Sequence, residues 1–378
     1  MSRKESSTII QDPRTLLLGV FAPGNKCVDV QAYFDEFVSL VETRGFEYDF
    51  TLFTKIRSVD KGFLLTKGKL DDMVKLCQDN QIERIICSER LSPLQHRELE
   101  DITGTVVIDR AELILEIFKK SATTAEGQIQ IEKAELELFK TRISGRGEDF
   151  AQQAGFLGGK GPGETFKEKI KRILSDRIRK ATQRLDHLQK VRDTQRKQRL
   201  ASNVPLVCIV GYTNAGKSSL LNILTRSEVL VEDKLFATLD TTTREWFLTP
   251  DFKVLVSDTV GFISELPHRL IEAFKSTLDE VKYANVLIHV VDASNPGWRD
   301  QIRVVQETLT DLGVDTTKPM IYAFNKIDKL TSEQQDALIL AAAEFTPAVF
   351  IHTRDRSGVE SLVKRLMELY PQPVQEQE

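Results

Sequence analysis

Short apolar runs separated by amphipathic stretches fill the first third of the chain. TLLLGVF (15–21), YDFTLF (48–53), RIICSE (84–89) and TVVID (105–109) read as strands, while VQAYFDEFVSLVETRG (30–45) spaces its apolar residues three and four apart, as a helix does. Strands alternating with helices predict a small parallel α/β unit over 1–110, with helices on its faces. From Ala111 to about Ile143 glycine is rare and proline absent. QIQIE (128–132) alternates like a strand, but the length of the uninterrupted run favours one helix. Glycines then cluster in GRGEDFAQQAGFLGGKGPGE (145–164), which must be a loop. Beyond it Phe166, Ile170, Ile173, Leu174, Ile178, Ala181, Leu185, Leu188 and Val191 fall on one helical stripe. Residues 111–200 therefore predict an antiparallel helical hairpin with a glycine-rich tip.

After Ser202 and Pro205 the pattern changes again. LVCIV (206–210), REWFLT (244–249), KVLVS (253–257), VLIHVVD (286–292), MIYAF (320–324) and AVFIH (348–352) are strand candidates, mostly separated by helical stretches, with a hairpin around Pro250-Asp251. Residues 201–370 thus predict a doubly wound, mostly parallel sheet, making the chain α/β throughout apart from the hairpin. The final eight residues, PQPVQEQE (371–378), are too polar to pack and read as a disordered tail.

At 378 residues the chain exceeds one ordinary core, so two or three domains are expected. No run of about 18 apolar residues occurs, and MSRKESSTIIQD has no signal-peptide core, so the expected location is the cytoplasm, with peripheral membrane association the remaining variant. Cys27, Cys77, Cys87 and Cys208 lack metal-ligand spacing; all but Cys27 lie in or beside apolar patterns and read as buried free thiols. The net charge of -4 hides an asymmetry: Lys160 to Leu200 carries 14 Lys and Arg against 5 Asp and Glu. A solvated helix face explains such a run in many proteins, whereas beside a nucleotide switch it points to an anionic partner such as folded RNA. DNA binding is not expected, and a monomer is.

The chemistry concentrates in the last domain. Gly211-Tyr212-Thr213-Asn214-Ala215-Gly216-Lys217-Ser218 fits G-x-x-x-x-G-K-[ST] between an apolar strand and a helix beginning at Lys217. The glycines let backbone N–H groups turn toward phosphate, the helix N-terminus adds its dipole, and Lys217 would neutralise β and γ oxygens. Ser218 is a candidate Mg2+ ligand, with Ser219 following it into the nucleotide site. Asp258 and Gly261, in Asp258-Thr259-Val260-Gly261, would hold Mg2+ and sense the γ-phosphate respectively. In LFATLDTTTRE one threonine should cap Mg2+ when triphosphate is bound: Thr243 first, Thr242 second. Asn325-Lys326-Ile327-Asp328 follows a strand directly, about 110 residues after the phosphate loop. A carboxylate there accepts two hydrogen bonds from guanine, and adenine offers neither donor in that arrangement. GTP and GDP are therefore expected over ATP.

Three positions depart from the common pattern. Phe262 stands where Ras-like enzymes carry a water-orienting glutamine, so intrinsic hydrolysis should be slow. Help would come from a partner in trans or from K+ at Asn214, whose alternative role is a hydrogen bond bracing the loop; His268 is a weaker polar substitute. His352-Thr353-Arg354 stands where a Ser-Ala-Lys type stretch is expected, leaving the Thr353 backbone N–H to reach the guanine O6.

GYTNAGKSSL, LFATLDTTTR, DTVGFISELPH, STLDEVKYANVLIHVVDAS and NKID, with GGKGPGET, LSPLQHRELE and VVIDRAELILEIF upstream, resemble the HflX family of translational GTPases over nearly the whole chain. Lys160 replaces an arginine of the family's glycine loop, and Thr241 a proline of its switch. The resemblance implies an N-terminal α/β domain, a helical hairpin and a GTPase domain. It also implies GTP-dependent binding to the large (50S) ribosomal subunit through hairpin and N-terminal domain, hydrolysis stimulated by the ribosome, and splitting or recycling of stalled or idle ribosomes. From the residues alone, a GTP-dependent regulatory module acting on another protein or RNA stays open. An ATP-dependent remodelling enzyme is weaker, because no second phosphate loop occurs.

Overall fold

The computed structural model describes residues 12–25, 27, 29–145, 166–201, 204–226, 235–236, 242–250, 252–264, 280–315 and 317–370. Two compact units emerge. One contains Val30–Glu116, the strand preceding it and the stretch from Leu138; the other contains Ile117–Glu137 and the chain from Ile173. The helical region is thus divided between the units instead of forming a body of its own.

In the first unit β1 (Thr15–Phe21), β2 (Phe50–Lys55), β3 (Arg84–Cys87) and β4 (Val106–Ile108) form a parallel sheet in the order β2-β1-β3-β4. Between them run α1 (Val30–Arg44), α2 (Lys67–Asn80) and α3 (Pro93–Thr103), as the alternating pattern predicts. β1 is buried along its whole length, which is why it reads as a continuous apolar run. A capping box starts α3: the Ser92 hydroxyl accepts from the Gln95 backbone N–H at 3.2 Å, and the Gln95 side chain accepts from the Ser92 N–H at 2.9 Å. Buried Arg110 pairs with Glu36 at 2.5 Å and lies over the Tyr33 ring.

The single helix expected from Ala111 to Ile143 is two, α4 (Arg110–Ser121) and α5 (Ala125–Gly145). The cause is local. The Thr124 hydroxyl accepts from the Gly127 backbone N–H at 3.0 Å and caps a new helix start, and a threonine that caps a helix competes with continuing the one before it. QIQIE is helical, as its context predicts. α6 (Phe166–Ala201) is the second arm, and Arg192 near its end meets Glu126 in the first turn of α5 at 2.9 Å, as antiparallel arms require. The glycine-rich tip, including Lys160, and the tail 371–378 lie outside the described residues.

The second unit is built on a six-stranded sheet: β5 (Leu206–Gly211), β6 (Thr243–Thr249), β7 (Phe252–Asp258), β8 (Val286–Asp292), β9 (Met320–Asn325) and β10 (Ala348–Phe350), in the order β10-β9-β8-β5-β7-β6. Only β6 runs antiparallel, pairing with β7 as the expected hairpin. Among the described residues, helices α7 (Lys217–Thr225), α8 (Trp298–Asp311), α9 (Ser332–Ala341) and α10 (Glu360–Leu369) accompany it. Val207, Ile209, Val254, Val256, Ile288 and Ile321 interdigitate with Leu220, Leu221, Leu362 and Leu366 in one core. Parallel registry aligns Ile209 with Asp258, Gly211 with Val290 and Asp292 with Asn325, so the polar residues ending these strands share one edge of the sheet. Cys77, Cys87 and Cys208 are buried free thiols. Among the described residues no helix is long and apolar enough to cross a membrane.

Candidate functional site: a nucleotide crevice at the strand ends

In an open parallel sheet, ligands bind beyond the carboxyl ends of the strands where the strand order reverses. β5 lies at such a point, with β8 on one side and β7 on the other. The phosphate loop leaves β5 here. Gly211 admits no side chain, because a Cβ would collide with the Val290 backbone carbonyl. Gly216 sits at φ 96°, a left-handed conformation, and a Cβ there would strike the Asn325 side-chain amide. These two glycines let the loop close tightly enough for α7 to begin at Lys217.

Lys217 is buried, and its Nζ donates to the Tyr212 carbonyl at 2.8 Å across the loop. Burial pushes its pKa down to about 8; nearby Asp258 opposes the shift and Lys326 reinforces it. Beside it, Ser218 Oγ donates to Asp258 Oδ2 at 2.6 Å. The other oxygen of Asp258 accepts from the Thr259 backbone N–H at 2.9 Å, and the Thr259 hydroxyl donates to the Ile209 carbonyl at 2.7 Å. The carboxylate is thus aimed by β7 and held against β5. Gly261 is confined as well, since a Cβ on it would approach Thr213 Cγ2 to 2.7 Å and Lys217 Nζ to 3.0 Å.

The base-side stretch joins the same crevice. Buried Asn325 donates from Nδ2 to the Ala215 carbonyl at 2.9 Å and lies 3.5 Å from the Thr353 hydroxyl. Lys326, in a left-handed conformation, donates from Nζ to the Asn214 carbonyl at 2.7 Å and to Asp292 Oδ2 at 2.8 Å. Asn214 is exposed, also left-handed. Asp328 lies in a short 3-10 turn (Ile327–Lys329) and pairs with Arg354 at 2.7 Å. Ser219 is half-buried on the first turn of α7.

Thr243, expected to cap Mg2+ when triphosphate is bound, lies on the neighbouring strand β6. It opens β6 opposite Ser257, and its hydroxyl donates to Ser257 Oγ at 3.2 Å rather than to the Ser218 and Asp258 pair. Thr242, the second choice, accepts from the Asp258 backbone N–H at 3.0 Å through its carbonyl. Thr241 and His268 lie outside the described residues. Phe262 is 1% exposed, and its backbone exchanges two hydrogen bonds with the loop: Phe262 N–H to Gly211 O at 3.2 Å and Thr213 N–H to Phe262 O at 2.8 Å.

Two residues escaped the sequence reading. Asp292 ends β8 and holds Lys326; its position at the end of a parallel strand was the available signal. Arg354, noted only as a departure, occupies the carboxylate of Asp328. His289 on β8 is also buried, and burial, with Lys217 adding to it, pushes its imidazole down to about 3, so it is neutral at working pH.

The donor set suits a guanine nucleotide with Mg2+. Asn325 Oδ1 and Thr213 Oγ1 are buried without a hydrogen-bond partner among the described residues, a state that costs free energy unless a ligand or water satisfies it. Ser218 and Asp258 present the hard oxygens that Mg2+ selects.

Comparison with known proteins agrees with this geometry. Residues 206–326 match a family described as 50S ribosome-binding GTPase, 31–119 a GTP-binding GTPase N-terminal family, and 121–199 a GTP-binding GTPase middle region. A protein named GTPase HflX from Caldanaerobacter subterraneus is 44% identical over 88% of this chain and 76% of its own length. One of the same name from Lacrimispora saccharolytica is 41% identical over 89% of this chain and 79% of its own. Among solved structures, the GDP complex of SsGBP is similar at 26% identity with a TM-score of 0.50, covering 94% of this chain and 98% of that one. The loop after β5, the Asp258 strand end and Asn325 thus assemble in one crevice of a chain whose relatives carry this name over most of their length, and the chain belongs to the HflX family of GTPases.

Proposed function

We propose that this GTPase is a switch that associates with the large ribosomal subunit in its GTP state and splits or recycles stalled or idle ribosomes. The observation that carries the nucleotide half is the convergence of Lys217, the Ser218 and Asp258 pair, and Asn325 at one edge of the sheet. The match to a 50S ribosome-binding GTPase family supports the ribosomal half, together with the exposed basic face of α6.

In this reading the loop Gly211 to Ser218 cradles the phosphates, and Lys217 holds β and γ oxygens. Ser218 and Asp258 hold Mg2+, joined by Thr243 in the triphosphate state, and Ser219 completes the site. Bound Mg2+ supplies charge neutralisation on the transferred phosphoryl group. Gly261 reports the γ-phosphate through its backbone N–H. Asn325, Lys326 and Asp328 fix the base, with the Thr353 backbone N–H toward O6. Phe262 is locked into the loop by its own backbone and offers no group to orient water, which supports slow intrinsic turnover completed from outside, by the ribosome or by K+ beside Asn214.

GTP turnover by the full chain, alone and with 50S subunits, 30S subunits or total RNA, in K+ and in Na+, tests this reading. Stimulation by 50S alone is the expected result. Equal slow rates throughout would leave a GTP-dependent module acting on some other partner.

A further inference from the structure

Guanine is read, in the proposed function on which this inference rests, by two N–H donors meeting the Asp328 carboxylate. That carboxylate has a cationic neighbour within the chain: Arg354 Nη2 forms an ion pair with Asp328 Oδ2 at 2.7 Å. A guanidinium presents paired N–H groups in one plane, the same pattern that the guanine edge presents through N1–H and its 2-amino group. Guanine, with two donors side by side, takes both oxygens of the carboxylate, including the one that Arg354 contacts.

The placement of Arg354 follows from its loop. The Asp355 carboxylate accepts from the Ser357 hydroxyl at 2.6 Å and from the Gly358 backbone N–H at 3.2 Å, and the His352 backbone N–H donates to the Gly358 carbonyl at 3.2 Å. This tight turn fixes the backbone on both sides of Arg354, directly after β10 and beside the Asn325 to Asp328 stretch, while Thr353 stays 3.5 Å from Asn325. The pair is asymmetric in exposure: the Asp328 side chain is 15% exposed and the Arg354 side chain 69%. Arg354 is therefore free to swing into solvent, whereas Asp328 keeps its position.

The geometry points to Arg354 as an internal competitor of guanine, a specificity and affinity-setting residue that occupies the base-reading carboxylate until nucleotide displaces it. It satisfies Asp328 in the empty state and lowers affinity for any guanine nucleotide, GDP and GTP alike. Because the arginine is mostly exposed, the pair is weak and screened by salt, and the effect is modest.

The test is binding of fluorescently labelled GDP to the full chain and to Arg354→Met, in NaCl at about 0.1 M and about 1 M, across which the Debye length falls from about 10 Å to about 3 Å. At the lower salt Arg354→Met binds up to about fivefold more tightly, chiefly through faster association, and the gain shrinks at the higher salt. Arg354→Lys, which keeps the charge but loses the planar fork, falls between. Equal or weaker binding by Arg354→Met overturns the inference. Asp328→Asn separates the two levels of the argument. If Asp328→Asn keeps its guanine preference, the base-reading assignment fails and competition fails with it. If it shifts toward xanthosine diphosphate while Arg354→Met gains nothing, competition alone is wrong.

Discussion

Asn325 Nδ2 donates to the carbonyl oxygen of Ala215 across 2.9 Å, tying the end of β9 to the phosphate loop that follows β5. The two residues are 110 positions apart in the chain. Through this bond the loop proposed to hold phosphate and the stretch proposed to meet the base are tied together. Asn325→Ala removes it from a buried position and leaves the Ala215 carbonyl unpaired, which costs about 1–3 kcal/mol. We expect GDP affinity to fall roughly tenfold or more, with a lowered unfolding midpoint in the nucleotide-free protein. Titration calorimetry and thermal unfolding check both, and unchanged GDP affinity would argue that the coupling is idle.

The depressed pKa of Lys217, about 8, gives nucleotide binding a pH signature. Phosphate favours the charged amine and raises its pKa, so above pH 8 binding takes up a proton and affinity falls as pH rises. For stability the sign is opposite. The buried ammonium destabilises the empty protein below pH 8, and this cost is relieved as pH rises from about 8 toward 10.5. Calorimetry at pH 9 in two buffers of different ionisation enthalpy reads the proton uptake directly. Lys217→Met should show no uptake, and should bind GTP far more weakly.

Phe262 invites the substitution that Ras-like enzymes suggest, and the structure predicts that it fails. Because the side chain is 1% exposed and the backbone is bonded twice to the phosphate loop, a glutamine here is buried and unpaired instead of reaching substrate. Phe262→Gln should cost about 2–4 kcal/mol of stability and give no gain in intrinsic GTP turnover. A faster single-turnover rate would show that the position does face the attacking water.

Arg177, Arg179 and Lys180 are exposed on α6, and Arg179 forms a surface pair with Asp176 at 3.2 Å. Reversing all three charges should weaken co-sedimentation with 50S particles and flatten its salt dependence, because each lost phosphate contact removes released counterions. GTP affinity should not change. An effect on GTP affinity with ribosome binding intact would tie these charges to nucleotide binding instead.

Much of the site was legible because phosphate-binding chemistry is local in sequence. A loop that must wrap phosphate needs its glycines, lysine and serine within eight residues, and the strand and helix on either side betray themselves by apolar pattern. The same holds for Asp258 and Asn325, each at the end of a run too apolar to be anything but a buried strand. Less visible were features set by competition between neighbours. The break before Ala125 turned on one threonine cap prevailing over a continuous apolar pattern, and Thr243 gave its hydroxyl to a cross-strand serine.

By itself the sequence determined the element types, the mostly parallel α/β class of the sheets and the motif of the nucleotide loop, since periodicity and short motifs report what each segment must bury or bind. Tertiary structure alone decided which distant groups meet: Lys326 with Asn214 and Asp292, Phe262 with Gly211, and Arg354 with Asp328. Strand order and loop closure set those pairings, and no window of local sequence contains both partners.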